Sequence, residues 1–214
     1  MGHSARGFHS LRRLWGAYER ALGVAPVLTQ AASSACIWGL GDMAAQRVQN
    51  RDGQRRGEAV AWDARQTVNT VGYGGLFVGP CGHFWYQGLD KTARRLFPGG
   101  VLTCLGFKIA ADTLVFGSMH IAAMFAFMEL QRQGGSLWTA VRKIEQDFLP
   151  VFVAECAFWP PFQAVNFMKV PVQHQLLAVN IACLLDAAFL NWAKNQDVRG
   201  LVKSWSHALP RNDK

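Results

Sequence analysis

Five stretches of this chain contain no Asp, Glu, Lys or Arg: residues 21–41, 66–89, 113–128, 156–168 and 170–185. A helix that crosses a bilayer needs about 20 mostly apolar residues. The first two runs reach that length. The third reaches it once Lys108 to Asp112 are included. The last two are short unless the charges at their edges, Glu155 and Lys169, face protein or water. A soluble helix keeps charge on its outward face, and these runs carry none. Only 17% of all residues are charged, against about 25% in an average soluble domain. Half are apolar, which excludes a disordered chain. The expected fold is all-α, a polytopic membrane helix bundle of about four transmembrane helices plus an N-terminal amphipathic helix.

Local signals divide the chain at the same places. Pro26 opens the first segment, where a missing amide hydrogen costs little. Residues 50–57 read as a polar, basic loop with Arg51, Asp52, Arg55 and Arg56. The second segment begins near Trp62 and Asp63 and fades after Asp90. Phe97-Pro98-Gly99-Gly100 is a breaker. A third segment runs from about residue 101 to 132 and ends before Gly134-Gly135-Ser136. Residues 138–148 read as an amphipathic helix near an interface. Pro150 starts or bends the next segment, and Pro160-Pro161 should break its hydrogen-bond ladder. Pro171 opens the last segment. The expected organisation is a basic amphipathic segment at 1–24, a membrane helical domain at 25–195 and a polar tail at 196–214.

The first 20 residues hold Arg6, Arg12, Arg13 and Arg20 against one acid, Glu19. Phe8, Leu11, Leu14, Trp15 and Tyr18 recur at helical spacing, so this segment reads as a basic interfacial helix or an organellar targeting segment. The whole chain carries a formal net charge of +8. With this much apolar surface, the expected partner is a lipid bilayer, with cardiolipin or another anionic lipid favoured, and not nucleic acid. Small residues at Ala31, Ala35 and Gly39, and the pair Gly75 and Gly79, let helix backbones approach closely within the bundle. Trp62, Trp85, Tyr86, Trp159 and Trp192 lie near segment ends, as interface anchors would.

Charges inside apolar runs need partners, because a bare charge in hydrocarbon costs several kcal/mol. Asp42 and Gln46 lie four apart on one helix face. Lys108 and Asp112 have the same spacing and could pair within a turn. Glu155, Trp159, Gln163 and Asn166 form a polar stripe. With Asp186 these residues make up a candidate pore lining or polar core: Asp42, Gln46, Lys108, Asp112, Glu155, Gln163, Asn166 and Asp186. Two readings of this set stay open, a hydrated path and a set of interhelical hydrogen bonds. The five cysteines contain no CxxC pair, and the sequence has no HExxH, P-loop, GxSxG or dinucleotide motif. An enzyme, a metal site and a cofactor are therefore not expected.

Three motifs carry a family resemblance. Gly41-Asp42-Met43-Ala44-Ala45-Gln46 is similar to GDxxAQ. Gly79-Pro80, His83, Trp85-Tyr86 and Leu89-Asp90 resemble GPxxHxWYxxLD. Lys143, Asp147, Trp159-Pro160, Gln163, Asn166-Phe167 and Val170-Pro171 resemble KxxxDxxP…WPxxQxxNFxxVP. In this order and spacing they resemble the Mpv17/PMP22 family of small organellar membrane proteins. The resemblance implies a four-helix protein of the mitochondrial inner membrane or, alternatively, of the peroxisomal membrane. It implies a weakly selective channel for small solutes or ions that supports membrane homeostasis. Gly41, Gly79, Pro80, His83, Trp85, Tyr86, Asp90, Lys143, Asp147, Trp159, Pro160, Phe167 and Pro171 are then the structural positions of the motifs, with Asp90 and Asp147 as helix caps. Glu155, Thr113, Ser118 and Gln175 depart from the family pattern within the polar set. These departures imply the alternative role, a non-conducting accessory subunit of a large mitochondrial inner-membrane complex. A homo-oligomer is also compatible.

Overall fold

The structure is a computed structural model. It describes the backbone of residues 2–55, 57, 61–132 and 134–195, and within these the side chains of all but 2–11, 52 and 185–195. The expected tail at 196–214 lies outside the described residues. All regular elements among the described residues are helical: α1 (Gly2–Val24), α2 (Pro26–Arg55), α3 (Ala64–Gly72), α4 (Gly79–Leu96), α5 (Val101–Ala111), α6 (Ser118–Gln131), α7 (Leu137–Lys169) and α8 (Val172–Asn195). A π-helical turn over Tyr73–Val78 joins α3 to α4, and another over Asp112–Gly117 joins α5 to α6. Each pair is therefore one long rod.

The boundaries have local causes. Asp63 caps α3 by accepting the Gln66 amide at 3.0 Å. Ser136 and Thr139 form a reciprocal capping box at the start of α7. The first π turn absorbs a proline. The Gly79 amide bonds to the Gly74 carbonyl, five residues back, so the register has already slipped where Pro80 has no hydrogen to give.

Three sequence expectations need correction. The loop expected at 50–57 is mostly helix, because α2 continues to Arg55. Arg47, Arg51 and Arg55 lie at four-residue steps there, and Arg and Gln are good helix formers. The amphipathic helix expected at 138–148 is not separate but forms the start of α7. Pro150 and Pro160-Pro161 lie inside α7 without ending it. Proline removes a donor but holds a helical φ, and in a membrane bundle neighbouring groups take up the freed carbonyls.

The rods alternate in direction. Gln30 meets His83 while Asp42 meets Gln66, so the α3–α4 rod runs antiparallel to α2. Asp90 meets Lys108 while Trp85 meets Asp112, so the α5–α6 rod turns back again. Turns at Gly134 and Pro171 reverse α7 and then α8. α8 runs alongside α2, with Gln30 near Gln173 and Trp38 near Asn180.

Close approach of α2 to the α3–α4 rod depends on glycine. A Cβ at Gly79 would sit 2.5 Å from the Ala31 Cα, and one at Gly74 would sit 2.8 Å from the Trp38 Cβ. The small-residue stripes thus meet inside the chain, as the sequence implies.

Burial is inverted relative to a soluble protein. Among the described residues, buried side chains are as often polar as apolar, and they include Gln30, Ser34, Asp42, Gln46, Lys108, Asp112, Gln163, Asn166 and Asn180. Leu28, Leu76, Phe84, Leu102, Leu114, Val153 and Ile181 are exposed. Val101–Gln131 and Leu137–Lys169 are each long and apolar enough to cross a membrane. Only 11% and 6% of their most apolar windows are buried in the protein, so neither is the core helix of a soluble globule. At 1.5 Å per residue, their 31 and 33 residues exceed the ~30 Å hydrocarbon core.

Gly79→Val should push α2 and α4 apart and destabilise the protein by about 1–3 kcal/mol, the usual cost of overpacking. Gly88→Ala, where nothing lies within 4 Å, should be neutral or slightly stabilising. Thermal unfolding in mild detergent distinguishes the two.

Candidate functional site

Five of the eight polar side chains expected from sequence, Asp42, Gln46, Asp112, Gln163 and Asn166, lie in hydrogen-bonded clusters inside the bundle. The first joins the second half of α2 to the start of α3. One Asp42 carboxylate oxygen accepts Gln46 Nε2 at 2.8 Å and Thr67 Oγ1 at 2.6 Å. The other accepts Gln66 Nε2 at 2.6 Å. Gln46 Oε1 accepts the Asp63 amide at 2.9 Å, so the same glutamine holds the chain entering α3. Gly41, beside this aspartate, would bring a Cβ to 3.1 Å from a Leu184 methyl.

At the next level Trp38 Nε1 donates to Asn180 Oδ1 at 3.2 Å, and Asn180 Nδ2 donates to Ser34 Oγ at 2.7 Å. Nearer the start of α2, Gln30 Nε2 donates to the Gln173 carbonyl at 2.8 Å. Its Oε1 accepts His83 Nδ1 at 2.9 Å, which sets the tautomer with hydrogen on Nδ1. His83 is therefore a packed hydrogen-bonding residue.

A second column centres on Asp112, at the start of the second π turn. Trp85 Nε1 donates to one of its oxygens at 2.8 Å and Gln163 Nε2 to the other at 2.6 Å. Gln163 Nε2 also lies 3.0 Å from the Tyr86 hydroxyl, which accepts. Asn166 Nδ2 donates to Gln163 Oε1 at 2.8 Å. Gln175 Nε2 bonds to the Val170 carbonyl at 3.1 Å and pins the turn at Pro171. One carboxylate thus ties α4, the α5–α6 rod and α7 together.

The expected Lys108–Asp112 pair does not form. Lys108 instead donates to Asp90 across the α4–α5 interface and lies 5.6 Å over the Phe167 ring. Asp90 also takes Arg94 at 2.8 Å. It sits inside α4, so its role is an interhelical clamp and not a cap. Asp147 likewise lies within α7, where it pairs with Lys143 one turn away. Trp85 and Tyr86 face the bundle, where Trp85 donates to Asp112 and Tyr86 accepts from Gln163, so they serve as interhelical hydrogen-bonding groups and not as interface anchors. Trp159 is half-buried and packs edge-on against Phe162. Glu155 lies half-buried on α7, outside the clusters described. The Asp186 side chain lies outside the described residues.

Sequence reasoning missed Gln30, Ser34, Trp38, Gln66, Thr67 and Asn180. A signal for three of them was present. Gln30, Ser34, Trp38, Asp42 and Gln46 stand at four-residue steps, one continuous ridge of α2. Among the described residues no three His, Cys, Asp or Glu side chains are grouped to hold a metal ion.

Lys108→Met leaves the half-buried Asp90 with only the exposed Arg94. It should cost about 1–3 kcal/mol, the range for losing a hydrogen bond to a charged group. A double-mutant cycle between Asp112→Asn and Gln163→Leu should give a coupling of about 0.5–2 kcal/mol, the range for interhelical hydrogen bonds in membranes. Reversible unfolding in mixed micelles measures both.

Comparison with known proteins agrees with this geometry. The family model described as Mpv17 / PMP22 family matches residues 124–191. Protein SYM1 of Saccharomyces cerevisiae is 32% identical over 90% of this chain and 95% of its own length. Protein SYM1 of Kluyveromyces lactis is 32% identical, covering 82% of this chain and 86% of that one. The mitochondrial inner membrane protein Mpv17 of Xenopus laevis is 27% identical over 86% of this chain and 98% of that one. No solved structure matches. These relatives and the apolar helices make the chain a multi-pass protein of the mitochondrial inner membrane. With one polar motif set running through a helical bundle and a relative this similar along nearly its whole length, the chain belongs to the Mpv17/PMP22 family.

Proposed function

We propose that this protein is a weakly selective channel for small solutes or ions. The observation that carries the reading is the sequence of polar levels inside the bundle. They run from Asp42 and Gln46, through Ser34 and Asn180, to Gln30 and His83, with Asp112, Gln163 and Asn166 beside them. Neutral amides dominate this lining, and amides bind cations and anions alike only weakly, which suits low selectivity. Asn166 Oδ1 and Thr113 Oγ1 are buried without a protein partner, and water in a hydrated interior would satisfy both. Four rods cross the membrane in this reading, α2, α3–α4, α5–α6 and α7, and α8 runs back into the bilayer beside α2. α1 lies along the interface.

The second reading is a non-conducting subunit of a larger inner-membrane complex or homo-oligomer. It is favoured by the completeness of the Asp42 cluster, in which both carboxylate oxygens are already occupied by Gln46, Gln66 and Thr67. In that case the polar interior serves cohesion alone.

Planar-bilayer recording separates the two readings. The channel reading expects conductance from the purified wild type and a several-fold loss in Gln163→Leu/Asn166→Leu. A folded protein with no conductance, recovered at fixed ratio in a much larger particle, supports the subunit reading instead. The four-span arrangement has its own check. Single cysteines at Gly57 and Gly134, in a cysteine-free background, should react from one side of the membrane, and one at Gly99 from the other. Labelling of Gly57 and Gly99 from the same side would contradict it.

A further inference from the structure

We propose that the arginine face of α1 is a binding site for the phosphate headgroup of an anionic phospholipid. Arg12, Gly16 and Arg20 lie at four-residue steps, and Arg13 stands two turns before Arg20, so all four share one face. They line an open concavity of about 540 Å³. Gly16 forms its floor: a Cβ there would come within 3.5 Å of Arg20 Nη1. Guanidinium groups present planar forks of donors that match phosphate oxygens.

The one acid beside this face in α1 is already engaged. Glu19 is the one acid in residues 1–24, and it turns away to pair with His174 at 2.9 Å. The Trp15 and Tyr18 rings also pack on His174, at 5.0 and 5.9 Å, and Leu22 is buried. α1 is therefore docked on the start of α8, which fixes the helix that carries the arginines. On the other sides of α1, Leu14 and Trp15 are 68% and 48% exposed and give the helix an apolar edge for acyl chains. A soluble phosphate has no use for that edge, whereas a lipid does. The proposal rests on the membrane reading above and is independent of conduction.

The test is thermal stability of the full chain in mild detergent with added phosphatidylglycerol, phosphatidylcholine or inorganic phosphate. Phosphatidylglycerol should raise the Tm of the wild type, and the other two should not. R12Q/R13Q/R20Q should lose most of that rise while keeping the wild-type Tm in phosphatidylcholine. Gly16→Glu, which places an acid on the floor, should lose it as well. R47Q/R51Q/R55Q, an equal charge loss on α2, should retain it. The proposal is overturned by a rise that survives in R12Q/R13Q/R20Q and Gly16→Glu, or that R47Q/R51Q/R55Q abolishes equally. It is also overturned by a wild type that inorganic phosphate stabilises as well, or that no lipid stabilises. Because the readout is stability, a silent bilayer recording leaves the result intact.

Discussion

A carboxylate placed among helices in a medium without water must find its donors within the protein. Asp112 meets this condition with Trp85 from α4 and Gln163 from α7, each on a separate oxygen. Gln163 then fixes Asn166, and the turn into α8 closes over them through Gln175. Asp42 meets the same condition at another level with Gln46, Gln66 and Thr67. Each such bond is worth only about 1 kcal/mol in a membrane. Their effect is mainly on specificity, because any slip of one rod against another would strand several polar groups together.

The rest of the architecture follows from that requirement. Polar side chains occupy the inside, so the outside is left to Leu28, Leu76, Leu114, Val153 and Ile181. Close backbone contact at Gly74 and Gly79 replaces the large apolar core a soluble protein would use, and it brings Gln30 within reach of His83. The second π turn begins at Asp112 itself. The same interior can cohere and conduct, since a group that bonds to a neighbouring amide can also bond to a passing water or ion.

How much of this was legible in the sequence depended on whether the partner was local. Asp42 and Gln46 could be read as partners because a helix places i and i+4 together. Lys108 satisfied the same rule with Asp112, yet it bonds to Asp90 on another helix, where tertiary packing outweighs local spacing. Trp85 and Tyr86 looked like interface anchors because sequence shows distance from a segment end but not which face turns inward. Pro160-Pro161 marked a break that the backbone does not make, because proline removes donors while its φ stays helical. Asn180 gave no signal, as its partners Ser34 and Trp38 lie more than 140 residues away.

The central claim is an inverted protein, polar within and apolar toward lipid. Spin labels at Leu76, Leu114, Val153 and Ile181 in a reconstituted bilayer test it most directly, through relaxation by oxygen against a water-soluble nickel chelate. High oxygen and low nickel accessibility at all four is the predicted result. High nickel accessibility at these sites in the folded protein would place that surface in water and contradict the account.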